Sequence, residues 1–164
     1  MHEIHVLTKR RHSKWFDSRA SGLVRDVYVH CFPASPIVTK RAVRKCRIVH
    51  VLWAEANGAP FAAAMVARTS QGCYRVCGLG VMPANQRQGY GTALLKKICE
   101  ILPERALLLL GVDKDTPTTE QLCAWYIRQG FARFSEQPDE IILAKELWSS
   151  GHEEGEGQSE SRVY

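Results

Sequence analysis

The hydrophobic positions change period several times along the chain, and each change marks an element. Over Ser18–Cys31, Leu23, Val24, Val27 and Cys31 fall on one stripe, which predicts an amphipathic helix. Pro33 and Pro36 cannot continue it. A short basic helix is expected at Thr39–Lys45. Ile48–Ala54, Pro60–Thr69 and Tyr74–Met82 then read as three strands, joined by turns at Asn57-Gly58 and Gln71-Gly72. Gly78 and Gly80 fall inside the third strand, where glycine weakens pairing unless a bulge or a close backbone approach requires it.

Beyond this hairpin pattern, strands and helices alternate. Gly89–Leu102 is predicted helical, with Leu94, Leu95, Ile98, Ile101 and Leu102 on one face and Pro103 after its end. Ala106–Val112 is a continuous apolar run, as expected of a strand buried on both faces of a sheet. Thr118-Thr119-Glu120-Gln121 has capping-box spacing for a helix running to Gln129, and Gly130 is the expected C-terminal glycine. Phe131–Phe134 and Glu140–Leu147 close the pattern as two strands. Together these elements predict an α/β fold (α+β, with a mixed sheet) flanked by helices.

Composition narrows the picture. At 164 residues and 45% hydrophobic, the chain suits one domain, expected over residues 1–147. The Gly/Ser/Glu tail at 148–164 has little to bury and is expected to be disordered. The longest apolar run, Phe61–Ala67, is far short of the ~20 residues of a membrane helix. No apolar core follows a basic start, so no signal peptide is expected. The six cysteines include no C-x-x-C pair, so no metal is expected. They read as reduced thiols of an intracellular protein, cytoplasmic, with the nucleus also open.

The net charge of +5 is unevenly placed. Residues 1–50 hold eleven Lys/Arg against three Asp/Glu, residues 51–147 balance, and the tail is acidic. The positive excess therefore bears on a surface partner of the N-terminal third.

The segment from Leu79 to Thr92 (LGVMPANQRQGYGT) carries the clearest chemistry. A strand ends, a polar loop follows, and a helix opens at glycines. Unpaired N–H groups and the positive end of the helix dipole make such a place an anion site. Gly89 and Gly91 let backbone approach phosphate oxygens, and Arg87 adds a cation. It is neither a Rossmann nor a Walker loop.

Val81-x-Pro83-x-x-Gln86-x-x-Gly89-x-Gly91 resembles the acyl-CoA loop of the GNAT acetyltransferase superfamily, whose core is Gln/Arg-x-x-Gly-x-Gly/Ala. Tyr126-Ile127-Arg128-Gln129-Gly130-Phe131 resembles the same family's Tyr-x-x-x-Gly-Phe. The resemblance covers residues 18–147 and implies a mostly antiparallel sheet whose middle strands splay. It implies acetyl-CoA as co-substrate and a primary amine, small or on a protein, as acceptor. Gln86, Arg87, Gln88, Gly89, Tyr90, Gly91 and Thr92 would hold the pyrophosphate. Leu79, Gly80 and Val81 would line the pantetheine arm, and Thr119 stands where the family often has a cofactor-contacting Asn. Tyr126 would be the acid that protonates the leaving thiolate; from spacing alone, core packing beside Trp125 is the favoured reading.

Two positions depart from the family. Thr119 replaces the Asn, and Arg75 stands where lysine-acetylating members often carry a glutamate base. His50, Glu55, His30, a water chain, or an acceptor that arrives neutral remain as sources of the base. Cys77 and Cys99 have no His nearby in sequence and read as structural thiols. The carboxylates of Ser135–Glu140 would favour a cationic acceptor, whereas Lys40–Arg47 would favour an anionic one. Two other functions stay in view: an acyl-CoA-binding regulator that transfers weakly, and a nucleic-acid binder led by Lys9-Arg10-Arg11 and Lys40–Arg47. The second lacks interleaved aromatics, so nucleic acid is not an expected partner.

Overall fold

The computed structural model describes residues 3–8, 18–31 and 47–148. The expected helix at Thr39–Lys45, the Lys9-Arg10-Arg11 cluster and nearly all of the acidic tail lie outside these residues. Seven strands form one sheet: β1 (Ile4–Thr8), β2 (Ile48–Ala56), β3 (Ala59–Ser70), β4 (Cys73–Val81), β5 (Ala106–Asp113), β6 (Ala132–Glu136) and β7 (Glu140–Leu147). Their spatial order is β1-β2-β3-β4-β5-β7-β6, and every neighbouring pair is antiparallel except β4–β5. The helices are α1 (Ser18–Cys31), α2 (Tyr90–Ile101) and α3 (Thr119–Arg128). The mixed α/β architecture is the one the alternation of elements predicted.

The β2–β3 hairpin turns on Asn57 and Gly58, both at positive φ (52° and 78°), as the Asn-Gly signal requires. β1 is an addition to the predicted elements. It is a five-residue edge strand whose Ile4 and Val6 touch the core while Leu7 and Thr8 are exposed, so its alternation is too brief to stand out.

Two clusters cover the two faces of the sheet. On one face, Leu94, Leu95 and Ile98 of α2 and Cys123 and Tyr126 of α3 pack on Leu52, Ala62, Ala64, Val66, Val76, Leu108, Leu110 and Leu143. On the other, Val24, Val27 and Tyr28 of α1 pack on Ile48, Val51, Ala63 and Met65. Burial of a Leu or Ile side chain in such a cluster contributes about 1.5–3 kcal/mol. β5 departs from the expectation of burial on both faces. Ala106, Leu108, Leu110 and Val112 are buried under α2 and α3, but Leu107, Leu109 and Gly111 are only half-buried. The reason is that α1 lies over β2–β4 and does not extend across β5.

The helix ends follow the predicted signals with one exception. Gly130 takes φ +87° after α3, and the Lys145 ammonium donates to the Gln129 carbonyl at 2.8 Å. Thr118 is the N-cap residue, but its side chain makes no cap bond. The start of α3 is instead fixed by Thr119, whose buried hydroxyl lies 2.6 Å from the Asp113 carbonyl and 2.8 Å from that of Thr116.

Candidate active site

The central feature is the separation of β4 from β5. These strands pair only from Cys73↔Leu107 to Val76↔Leu110; beyond that the β5-facing edge of Gly78–Val81 has no ladder partner on β5 among the described residues. On its other side β4 keeps its pairing with β3, through Leu79↔Ala64, Gly80↔Ala63 and Val81↔Ala62. The register slips between Ala64 and Val66, so β4 carries one residue more than β3 across this stretch. Gly78 sits in the bulge at φ +150°.

A side chain from α1 satisfies the broken ladder. The Tyr28 hydroxyl donates to the Gly78 carbonyl at 2.9 Å, and the Met65 backbone N–H donates to the Tyr28 hydroxyl oxygen. Both orphaned backbone groups of the bulge are thereby paired. A Cβ at Gly78 would stand 3.0 Å from that oxygen, which gives the glycine its reason. Burial holds the Tyr28 phenol well above its usual range, with smaller pushes from Cys77, Cys31 and Tyr126.

The loop after β4 begins with a short 3-10 turn at Pro83–Asn85. Gln86 Nε2 donates to the Val81 carbonyl at 3.0 Å and Gln88 Nε2 to the Ala84 carbonyl at 3.2 Å, so both glutamines tie the loop to itself. Arg87 and Gly89 take positive φ (60° and 86°), and Gly89 caps α2 without a side-chain bond. The backbone N–H groups of Arg87, Gln88, Gly89, Gly91 and Thr92 find no acceptor among the described residues. Such a row of N–H groups at a helix start is suited to an anion. Tyr90 packs edge-on against Phe61 at 4.6 Å and anchors the start of α2 on β3.

Trp125, the residue before Tyr126 on α3, lies beside this opening. A Cβ on Gly91 would meet Trp125 at 3.5 Å and Leu79 at 3.7 Å, so the loop, the open edge of β4 and α3 converge. Tyr126 itself is held between Trp125 and Phe131, with ring centroids at 4.6 and 5.8 Å. Its hydroxyl has no hydrogen-bond partner among the described residues. Burial pushes its pKa up to about 12.

The other candidates are placed less centrally. Thr119 spends its hydroxyl on the β5–α3 turn and so fixes the helix that carries Tyr126. His50 pairs with Thr8 on β1, and Glu55 accepts from Trp53; both sit on β2, two strands from β4. His30 contacts the Asp26 carbonyl one turn earlier in α1. Cys77 Sγ contacts the Arg75 carbonyl at 3.7 Å, while burial raises the Cys31, Cys99 and Cys123 thiols, which keeps them protonated and poorly nucleophilic. Among the described residues, no group of His, Cys, Asp and Glu could hold a metal ion, and no helix is long and apolar enough to cross a membrane.

Arg75 holds the arrangement that sequence reasoning missed. Its Nη2 donates to both Glu140 oxygens, at 3.0 and 2.7 Å, and the pair lies across Gly111 of β5. The glycine inside the apolar run of β5 was the available signal. Glu136, in the same loop region, pairs with Lys114.

Comparison with known proteins agrees with this geometry. No curated protein matches the sequence. Solved structures that resemble the fold include an acyl-CoA N-acyltransferase from Pseudomonas aeruginosa, at 15% identity and TM-score 0.66 over 88% of this chain and 99% of that one. The ribosomal-protein-S18-alanine N-acetyltransferase of Escherichia coli aligns at 18% identity and TM-score 0.64, over 91% and 97%. A GNAT family acetyltransferase from Elizabethkingia anophelis, with acetyl-CoA bound, aligns at 15% identity and TM-score 0.60, over 88% and 98%. The profile of the acetyltransferase (GNAT) family matches residues 18–141, most of the chain. The splayed sheet, the loop between β4 and α2 and this match agree: the chain belongs to the GNAT family and is an acyltransferase.

Proposed function

We propose that the protein transfers an acetyl group from acetyl-CoA to a primary amine by direct attack in a ternary complex. The observation that carries this reading is the stretch Gly78–Val81, which leaves the β5 ladder and leads to a row of backbone N–H groups without acceptors among the described residues. The pantetheine arm would hydrogen-bond along Leu79, Gly80 and Val81 as an added strand. Arg87, Gln88, Gly89, Gly91 and Thr92 would cradle the pyrophosphate, with Gln86 stiffening the loop and Tyr90 anchoring it. Thr119 would act by positioning α3. The catalytic domain is taken to end at Leu147, where β7 ends.

Tyr126 would serve the leaving group. At a pKa of about 12 it is a weaker acid than a thiol near 8.5, so complete transfer alone would be uphill by ~5 kcal/mol. The phenol therefore donates a hydrogen bond as the C–S bond breaks. It completes the transfer while the adduct nitrogen, now strongly acidic, returns a proton to the protein.

The test is CoA release from acetyl-CoA across amines and peptides, alongside calorimetric CoA binding, for the wild type and Gly89→Glu. The variant places a carboxylate at a left-handed position facing the pyrophosphate, so at least about tenfold loss of CoA affinity is expected. Unchanged affinity would remove the proposed site. Tight binding with no transfer to any amine would instead identify an acyl-CoA-binding regulator.

A further inference from the structure

We infer that the Arg75–Glu140 ion pair binds the head group of a free α-amino acid, which is the acceptor; the inference rests on the acetyl-transfer reading above. Along β4, Tyr74 and Val76 face the core under α2 and α3, so Arg75 points to the α1 side of the sheet. The β4–β5 ladder ends at Val76↔Leu110, and Gly111 is the next residue of β5. Arg75 reaches Glu140 across that glycine. A Cβ there would stand 2.9 Å from Nη2 and would overlap the Glu140 carboxylate. The ion pair therefore spans the opening between β4 and β5 at its inner end. The opposite face is closed by Leu94, Leu95, Ile98, Cys123 and Tyr126, so an amine that reaches the thioester arrives on the side of this pair.

The pair's hydrogen bonding leaves capacity for a ligand. Both bonds to Glu140 come from Nη2, and the Nε and Nη1 donors of Arg75 find no acceptor among the described residues. The Arg75 side chain is 37% exposed and that of Glu140 is 19% exposed. A cation and an anion are thus held side by side, both within reach of solvent. Their complement carries an anion and an ammonium close together, as an α-amino acid does on a single carbon. Its carboxylate meets the open fork of Arg75, the geometry in which guanidinium binds carboxylate well, while its ammonium meets Glu140. A polyamine would set a second positive charge beside Arg75, which costs affinity.

The step balances. The ammonium gives one proton to the Glu140 carboxylate, which passes it to water. The freed nitrogen lone pair forms the C–N bond, and the carbonyl pair moves to oxygen. Collapse of the adduct breaks the C–S bond; Tyr126 protonates the thiolate, and the second nitrogen proton restores Tyr126. The net products are the N-acetyl amino acid, CoA thiol and one proton.

The experiment measures CoA release by the full chain with acetyl-CoA and each of the twenty amino acids, their methyl esters, and spermidine. Release with at least one free amino acid is expected, with kcat/KM at least about tenfold lower for its ester. Arg75→Gln should move the acid-to-ester ratio toward one, and Glu140→Gln should lower kcat for the acid. Turnover of esters or spermidine as good as that of every free amino acid overturns the inference. So does absence of release with all amino acids from a protein that binds acetyl-CoA, which leaves the acetyl-transfer reading standing. Absence of acetyl-CoA binding removes that reading and this one together. The wild-type ratio decides even where a variant fails to fold.

Discussion

For Tyr126 the proposed acid role stands beside a packing role, and the two compete in sequence. It packs between Trp125 and Phe131 as a core aromatic, yet its hydroxyl makes no hydrogen bond to another of the described residues. Tyr126→Phe keeps the packing and removes only the donor. The expected outcome is a fall in kcat of about 10²-fold or more with CoA affinity unchanged, measured by steady-state kinetics and calorimetry. Equal losses in both would assign the residue to structure. Arg75 teaches the converse lesson. Its number shows only that a cation replaces a carboxylate, whereas its partner lies 65 positions away and meets it through the register of three strands.

At the scale of elements, the legible parts were those with local causes. The strand–loop–helix from Leu79 to Thr92 was readable because glycines and a polar loop sit between two apolar patterns. The Asn57-Gly58 hairpin and the Gly130 cap were readable because positive φ selects those residues. What stayed hidden depends on tertiary packing: the brief edge strand β1, the half-exposed face of β5, and the way α1 completes the β3–β4 bulge. Tyr28 drew no notice in the sequence, which holds no hint that its oxygen serves Met65 and Gly78. Tyr28→Phe leaves a buried N–H and a buried C=O without partners. It should lower the free energy of unfolding by about 1–3 kcal/mol, read from urea titration. Loss of amide protection confined to Met65 and the stretch after Gly78, seen by hydrogen exchange, is the local signature. A variant as stable as the wild type would show that water replaces the hydroxyl.

For the whole molecule, buried titrating groups bound the pH range of stability from both sides. Burial lowers the His50 pKa below 6.5, so the fold keeps it neutral while the unfolded chain takes up a proton. Stability is therefore present above pH 6.5 and is lost as pH falls below it. Cys31, Cys99 and Cys123 are raised above 9.0, Tyr28 above 10.0, and Tyr126 to about 12. There the fold holds protons that the unfolded chain releases, so stability falls as pH rises from 9 towards 12. Urea titrations across this range should show a plateau between pH 6.5 and 9, and a maximum at pH 10 or above would contradict the burial of these phenols and thiols. The short parallel ladder has a further consequence. Strands β1–β4 form a continuous antiparallel meander and β5, β7 and β6 a second antiparallel set, and among the described residues only the four rungs from Cys73 to Val76 join them in the sheet. That seam ends at Val76↔Leu110. A pantetheine arm laid along its open end would add the missing stitches, so the molecule that is consumed in each turnover would also be the one that fastens the two halves while the reaction runs.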